Sequence, residues 1–120
     1  MAGWKKLQSE RIVHDQPKAV VYRLTGVLTD TKEAFELLDY IRGAIADDYP
    51  LIVINLEKID HLTSAGIGVI AAAYTSAKRD GSRICLAGVA DRGRSLLELV
   101  GLWSLLDHAQ TEMEALQTSA

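Results

Sequence analysis

Leu51 to Leu56, LIVINL, is an apolar run broken only by Asn55 and bounded by Pro50 on one side and the polar stretch EKIDHL on the other. It does not alternate, and it is too short for a buried helix. A short continuous apolar run is the pattern of a strand covered on both faces. That requirement constrains the rest of the chain, because other segments must supply a layer above this strand and a layer below it.

Upstream, AVVYRLTGVL (Ala19 to Leu28) is rich in β-branched residues and partly alternating, which predicts a second strand with Gly26 as a bulge or close backbone contact. RIVHD before it is placed to pair with it as a hairpin through Gln16-Pro17. In DTKEAFELLDYIRGAIADDYP, Ala34, Leu37, Leu38, Ile41, Ala44 and Ile45 recur at spacings of three and four, so an amphipathic helix is expected, capped by Asp30 or Thr29. EKIDHL reads as a turn. From Ser64 to Arg79 the chain is apolar around most of a helical circumference, with Ala65, Gly66, Gly68, Ala71, Ala72 and Ala73 small enough to let a helix lie close to a sheet, and Gly81 follows as a stop. RICLAGV predicts a fourth strand, DRGRSLLELVG a short helix capped by Asp91 with Leu96, Leu97 and Val100 as its stripe, and LWSLL a last short strand. TEMEAL carries capping-box spacing from Thr111 to Glu114. Strands alternating with helices argue for an α/β fold in one domain, as a length of 120 residues also suggests.

Several function classes are excluded or unsupported. The net charge is −3 and no block of Lys and Arg occurs, so the basic footprint of a direct nucleic-acid binder is missing. MAGWKKLQSE lacks the apolar block of a signal peptide, and the run from Ala65 to Tyr74 is about half of what crossing a bilayer takes, so no membrane insertion is expected. Cys85 is the single cysteine, which fits a reducing compartment, the cytoplasm, and its apolar surroundings suit an inert thiol. His14, His61 and His108 show no metal-ligand spacing, and there is neither a phosphate-binding loop nor a GxSxG elbow, so neither metal nor cofactor is expected. SAGIG is a G-x-G fragment whose glycines fall inside the helix, where packing explains them better. Trp103 reads as a packing residue.

What remains is the hydroxyl pair Thr63-Ser64 at the head of the second helix. One reading is a cap, a hydroxyl bonded to a free backbone N–H and worth about 1 kcal/mol. The other is a phosphorylation switch, because a phosphate on Ser64 would lie where the helix start favours an anion while adding about −1.5 to −2 of charge to the surface.

VINLEKIDHLTSAGIGVIAAAYTSAKRDGSRICLAGVADRGRSLLELVGLWSLL resembles the STAS domain of bacterial anti-sigma factor antagonists, whose V-x-[LI]-[DN]-[LF] strand leads through a turn to D-S-[ST]-G-[LI]-G at a helix head. RSLLELVGL is similar to that family's K-R-L-[FL]-x-x-x-G-L helix, and YRLTGVLT to its R-L-x-G-E-[LI]-D. The resemblance runs from about Ile12 to Leu116. It implies a STAS-like α/β domain over 11–116, a mixed sheet of four to five strands with helices mainly on one side, between an N-terminal extension (1–10) and a short tail (117–120).

It further implies a non-enzymatic, cytoplasmic regulator of transcription, acting by partner switching in a stress response. Such a protein sequesters an anti-sigma factor, frequently a serine kinase, is switched off by serine phosphorylation and is reset by a PP2C-type phosphatase. The phosphorylated serine falls on Ser64, with Thr63 as an alternative, and the partner surface falls on Thr29, Asp30 and Thr31 together with Thr63, Ser64, Ala65 and Gly66. Asp30 and Thr31 are equally readable as caps of the first helix. Two positions depart from the family: Thr63 and Thr29 stand where aspartates are usual, and Ala65 replaces the second hydroxyl residue. Those losses motivate an alternative, a constitutive STAS scaffold or accessory subunit of a stress-sensing or lipid-transport complex. The oligomeric state is open.

Overall fold

The computed structural model describes residues 5–117; the outermost residues of the expected extension and tail lie outside them. Five strands form one sheet in the order β1 (Gln8–Asp15), β2 (Lys18–Leu28), β3 (Leu51–Leu62), β4 (Arg83–Ala87) and β5 (Asp107–Ala109). β1 and β2 are antiparallel, the expected hairpin with a cis Gln16-Pro17 peptide at its turn, and every other pairing is parallel. The parallel pairs are joined by helices α1 (Lys32–Ala46), α2 (Ser64–Arg79) and α3 (Asp91–Leu99), and a short α4 (Glu112–Gln117) follows β5.

The two-sided burial read from LIVINL holds. Ile52, Ile54 and Leu56 face a core shared with Leu37, Ile41, Ile67, Ile70 and Leu97 of α1, α2 and α3. Leu51 and Val53 face a smaller cluster with Ala19, Val21, Cys85 and Ala115, closed by Ile12 and Leu116. Three helices thus cover one face and only α4 the other. Cys85 is buried there, and that burial, with Asp107 nearby, pushes its thiol up to about 11.

Four local expectations are corrected. EKIDHL is not a turn: β3 continues to Leu62, because β2 is long enough to pair it as far as Leu62↔Leu28 once register shifts at Arg23/Thr25 and Gly26/Val27 are absorbed. The irregularity falls at Gly26, whose φ of +94° and close approach to the Lys5 carbonyl, where a Cβ would sit 2.9 Å from the oxygen, demand glycine. The α1 cap is neither Asp30 nor Thr29 but Thr31, the residue also readable as a cap instead of a partner contact: Thr31 Oγ1 accepts from the Ala34 N–H at 3.2 Å. Asp91 is the first residue of α3, whose N-cap is Ala90 without a side-chain bond, and Val100 is exposed rather than part of a stripe. LWSLL forms turns closed by Leu105 and Leu106 N–H groups on the Leu102 carbonyl, and the last strand is the polar DHA that follows. Leu106 is buried while Trp103 is half-buried, stacked on the His108 ring at 3.7 Å with the Arg94 guanidinium 4.9 Å from its centroid.

α4 is fastened to the sheet by a bidentate pair. Arg23 Nε and Nη2 each donate to Glu112 at 2.8 Å, and Asn55 Nδ2 donates to the same carboxylate at 3.1 Å. These bonds hold the Glu112 carboxyl below the usual glutamate range. The expected cap is present too, with Thr111 Oγ1 accepting from the Glu114 N–H at 3.1 Å. Among the described residues no helix is long and apolar enough to cross a membrane.

Candidate functional site

The end of β2 and the start of α2 meet at Leu28. Its carbonyl accepts the Thr63 N–H at 3.1 Å, continuing the β2/β3 pairing by one step into the helix head. Gly66, buried on the first turn of α2, packs on that carbonyl so closely that a Cβ would fall 2.7 Å from the carbonyl carbon. No side chain fits there. Gly66 is thus the residue that lets α2 begin directly over the end of β2. Gly68 has open space around it, so packing explains only the first of the two motif glycines.

Of the hydroxyl pair, Thr63 is the cap. Its Oγ1 accepts the Gly66 N–H at 3.0 Å and donates to Thr29 Oγ1 at 2.7 Å, and Thr29 in turn donates to the Asp30 carboxylate at 3.1 Å. The Thr63 hydroxyl therefore has both its donor and its main acceptor capacity engaged. Ser64, first residue of the helix, is exposed, and among the described residues its hydroxyl makes no hydrogen bond. A helix leaves its first N–H groups without intrahelical partners; that of Gly66 is bound by Thr63, and among the described residues those of Ser64 and Ala65 make no hydrogen bond. The question the sequence leaves between cap and switch divides cleanly: one hydroxyl is structural and the next is free.

The seven residues assigned to a partner surface fall in two segments that the Thr63–Thr29 bond joins. Asp30, Ser64 and Ala65 are exposed, Thr29, Thr31 and Thr63 are half-buried, and Gly66 is buried. Thr31 faces its own helix as the α1 cap. Thr29 and Thr63 meet through a hydroxyl-to-hydroxyl bond that brings no charge of its own to this point of the surface.

Sequence reasoning missed the opposite wall. Ser64 opens onto a groove of about 490 Å³ between the start of α2 and α3, lined also by Arg92, Ser95, Leu96 and Leu99. These four recur at helical spacing on one side of α3, while Gly93 and Leu97 are buried on the other. That spacing is the signal that was available. Leu99, at the rim of the groove, is 82% exposed. Among the described residues no group of His, Cys, Asp and Glu is arranged to hold a metal.

Comparison with known proteins agrees with this architecture. The STAS domain family matches residues 10–115. The anti-sigma-B factor antagonist of Listeria monocytogenes is 29% identical over 83 residues, 69% of this chain and 68% of that protein. The solved anti-sigma factor antagonist from Mycobacterium paratuberculosis superposes with a TM-score of 0.79 at 24% identity, covering 94% of this chain and 93% of that one. The anti-sigma factor antagonist SpoIIAA in its unphosphorylated form gives 0.76 at 25% identity over 95% and 96% of the two chains. Its phosphorylated form, from Bacillus, gives 0.72 at 24% identity over 96% and 100%.

Proposed function

The chain belongs to the STAS-domain family, and from that premise we propose that it is an anti-sigma factor antagonist switched by phosphorylation of Ser64. One observation carries the choice of residue: Ser64 is exposed with a free hydroxyl at a helix start, beside a Thr63 whose hydroxyl is committed to the cap. The existence of SpoIIAA in phosphorylated and unphosphorylated forms on the same frame supports it.

In the unmodified state the joined segments, Thr29 to Thr31 and Thr63 to Gly66, form the surface that sequesters an anti-sigma factor, a serine kinase. That kinase transfers the terminal phosphoryl group of a nucleoside triphosphate to Ser64 Oγ. The O–P bond to the leaving diphosphate breaks, a new one forms at Oγ, and the hydroxyl proton passes to a base on the kinase. The surface gains about −1.5 to −2 of charge at its centre, and like charge or a buried unpaired phosphate expels the partner. Charge acts here rather than shape, because the helix head is pinned by Thr63, Gly66 and the Leu28 carbonyl and has little to rearrange. A PP2C-type phosphatase restores the hydroxyl. The protein performs no reaction of its own and works in the cytoplasm.

The replacement of two aspartates by the Thr29–Thr63 pair favours a second reading, a constitutive scaffold or accessory STAS subunit. Wild-type protein and Ser64→Asp, used as baits in lysate of the native cells and then in calorimetry against the captured kinase, separate the two. A Ser64→Asp variant that loses most of its affinity supports the switch. Equal affinities remove it, and a large stable assembly without a kinase, seen by light scattering, puts the scaffold in its place.

A further inference from the structure

Seven arginines occur in the chain, and six have a partner. Arg23, Arg79, Arg83 and Arg94 pair with Glu112, Asp80, Asp107 and Glu98, Arg42 bonds Ser76 Oγ at 3.1 Å, and Arg11 lies over the Tyr49 ring. Arg92 alone, among the described residues, has no ion pair, hydrogen bond or ring contact. It is exposed, and it lines the groove onto which Ser64 opens. It also borders the small hollow beneath, where Asp60 is the one carboxylate in the lining, yet the two form no ion pair.

We propose that Arg92 is an internal ligand for the phosphoryl group on Ser64, so that phosphorylation draws the phosphate into the α2/α3 groove instead of leaving it in solvent. The inference rests on the reading of Ser64 as the phosphorylated residue. Ser64 and Arg92 stand on opposite walls of one groove, and an arginine's planar fork matches phosphate oxygens two at a time. The Ser64 and Ala65 N–H groups, which have no partner among the described residues, add donors from the serine side. Before modification the groove carries the Arg92 charge, with His61 as the one other titratable side chain in its lining, against an apolar wall, Leu96 and Leu99. After it, the phosphate of about −1.5 to −2 outweighs that charge and leaves the groove net negative. Phosphorylation then turns a cationic, half-apolar recess of the partner surface anionic.

The test installs phosphoserine at position 64 during synthesis of the full chain, in wild type, Arg92→Ala and Arg92→Lys, and follows the phosphorus NMR shift with pH. Helix-start effects are common to all three proteins, so the difference isolates Arg92. The second phosphate ionisation in wild type is expected about half a pH unit below that of Arg92→Ala, with Arg92→Lys between them, a size set by a partly exposed ion pair. The gap narrows in 1 M salt. Superimposed wild-type and Arg92→Ala curves overturn the proposal. Because the phosphate is installed without a kinase, separated curves with unchanged binding of the captured kinase would leave the Arg92 contact standing and remove the switch. Arg92→Ala is exposed and unpaired, so its unmodified form should melt within about 2 °C of wild type.

Discussion

The pinned head of α2 is tested by adding one methyl group. In Gly66→Ala the new Cβ lies 2.7 Å from the Leu28 carbonyl carbon and nearer still to its oxygen, both backbone atoms that cannot rotate away. Ordinary carbon contact begins near 3.4 Å, so the first turn of α2 must lift by on the order of 1 Å. That movement stretches the Thr63 N–H bond to Leu28, now 3.1 Å, and the Thr63–Thr29 bond, now 2.7 Å, beyond useful length. Two hydrogen bonds at about 1 kcal/mol each and an overpacking cost of about 1–3 kcal/mol oppose a gain of about 1 kcal/mol from replacing glycine within a helix. The balance is a loss of about 2–4 kcal/mol. Gly68→Ala is the internal control: it lies on the same helix with nothing within 4 Å of its Cβ, so it takes only the helix-propensity gain, about 0.5–1 kcal/mol. Urea unfolding of both variants measures the difference. Equal stabilisation by the two substitutions would refute the close contact and with it the pinned helix head.

Three further outcomes follow from the same contacts. Thr63→Ala should cost about 1–2 kcal/mol in urea unfolding, since it deletes the cap and the Thr29 partner, whereas Ser64→Ala should stay within about 0.5 kcal/mol of wild type; the reverse order would exchange the roles of the two hydroxyls. Glu112 has its folded pKa lowered, first by its bonds to Arg23, so its contribution is present above the unfolded glutamate value of about 4.3 and is lost as pH falls through the lower folded value. Glu112→Gln should therefore unfold more easily at pH 7 and show a flatter stability profile below about pH 4 than wild type; parallel profiles would contradict the Arg23 latch. Cys85, buried with its thiol pushed up to about 11, should resist a thiol reagent at pH 8 in the native protein and react at once in urea.

The core of this fold was legible because its signals are local. LIVINL announces two-sided cover, the Ala34 to Ile45 stripe announces α1, and the α2 boundaries at Ser64 and Arg79 follow from a polar joint and a glycine stop. What escaped was set by partners distant in sequence. EKIDHL reads as a turn because β4 ends its pairing at Asn55, leaving the last part of β3 with a neighbour on one side only and polar residues at its surface. DHA becomes a strand through parallel pairing with β4 and the Arg83–Asp107 ion pair, neither visible in three residues. At the site, the motif located Ser64 and Gly66, but the reason for Gly66 is the carbonyl of Leu28, thirty-eight residues earlier. The division of labour between Thr63 and Ser64 likewise needs Thr29 in place, and Arg92 enters only when α3 packs across from α2.

The most direct test of the switch is phosphosite mapping by mass spectrometry on the protein recovered from its native cells, with and without stress. Phosphate on Ser64, at an occupancy that changes with condition and with Thr63 and Thr29 unmodified, is the predicted result. Ser64 unmodified in every condition, or phosphate on the capping hydroxyl of Thr63 instead, would contradict it.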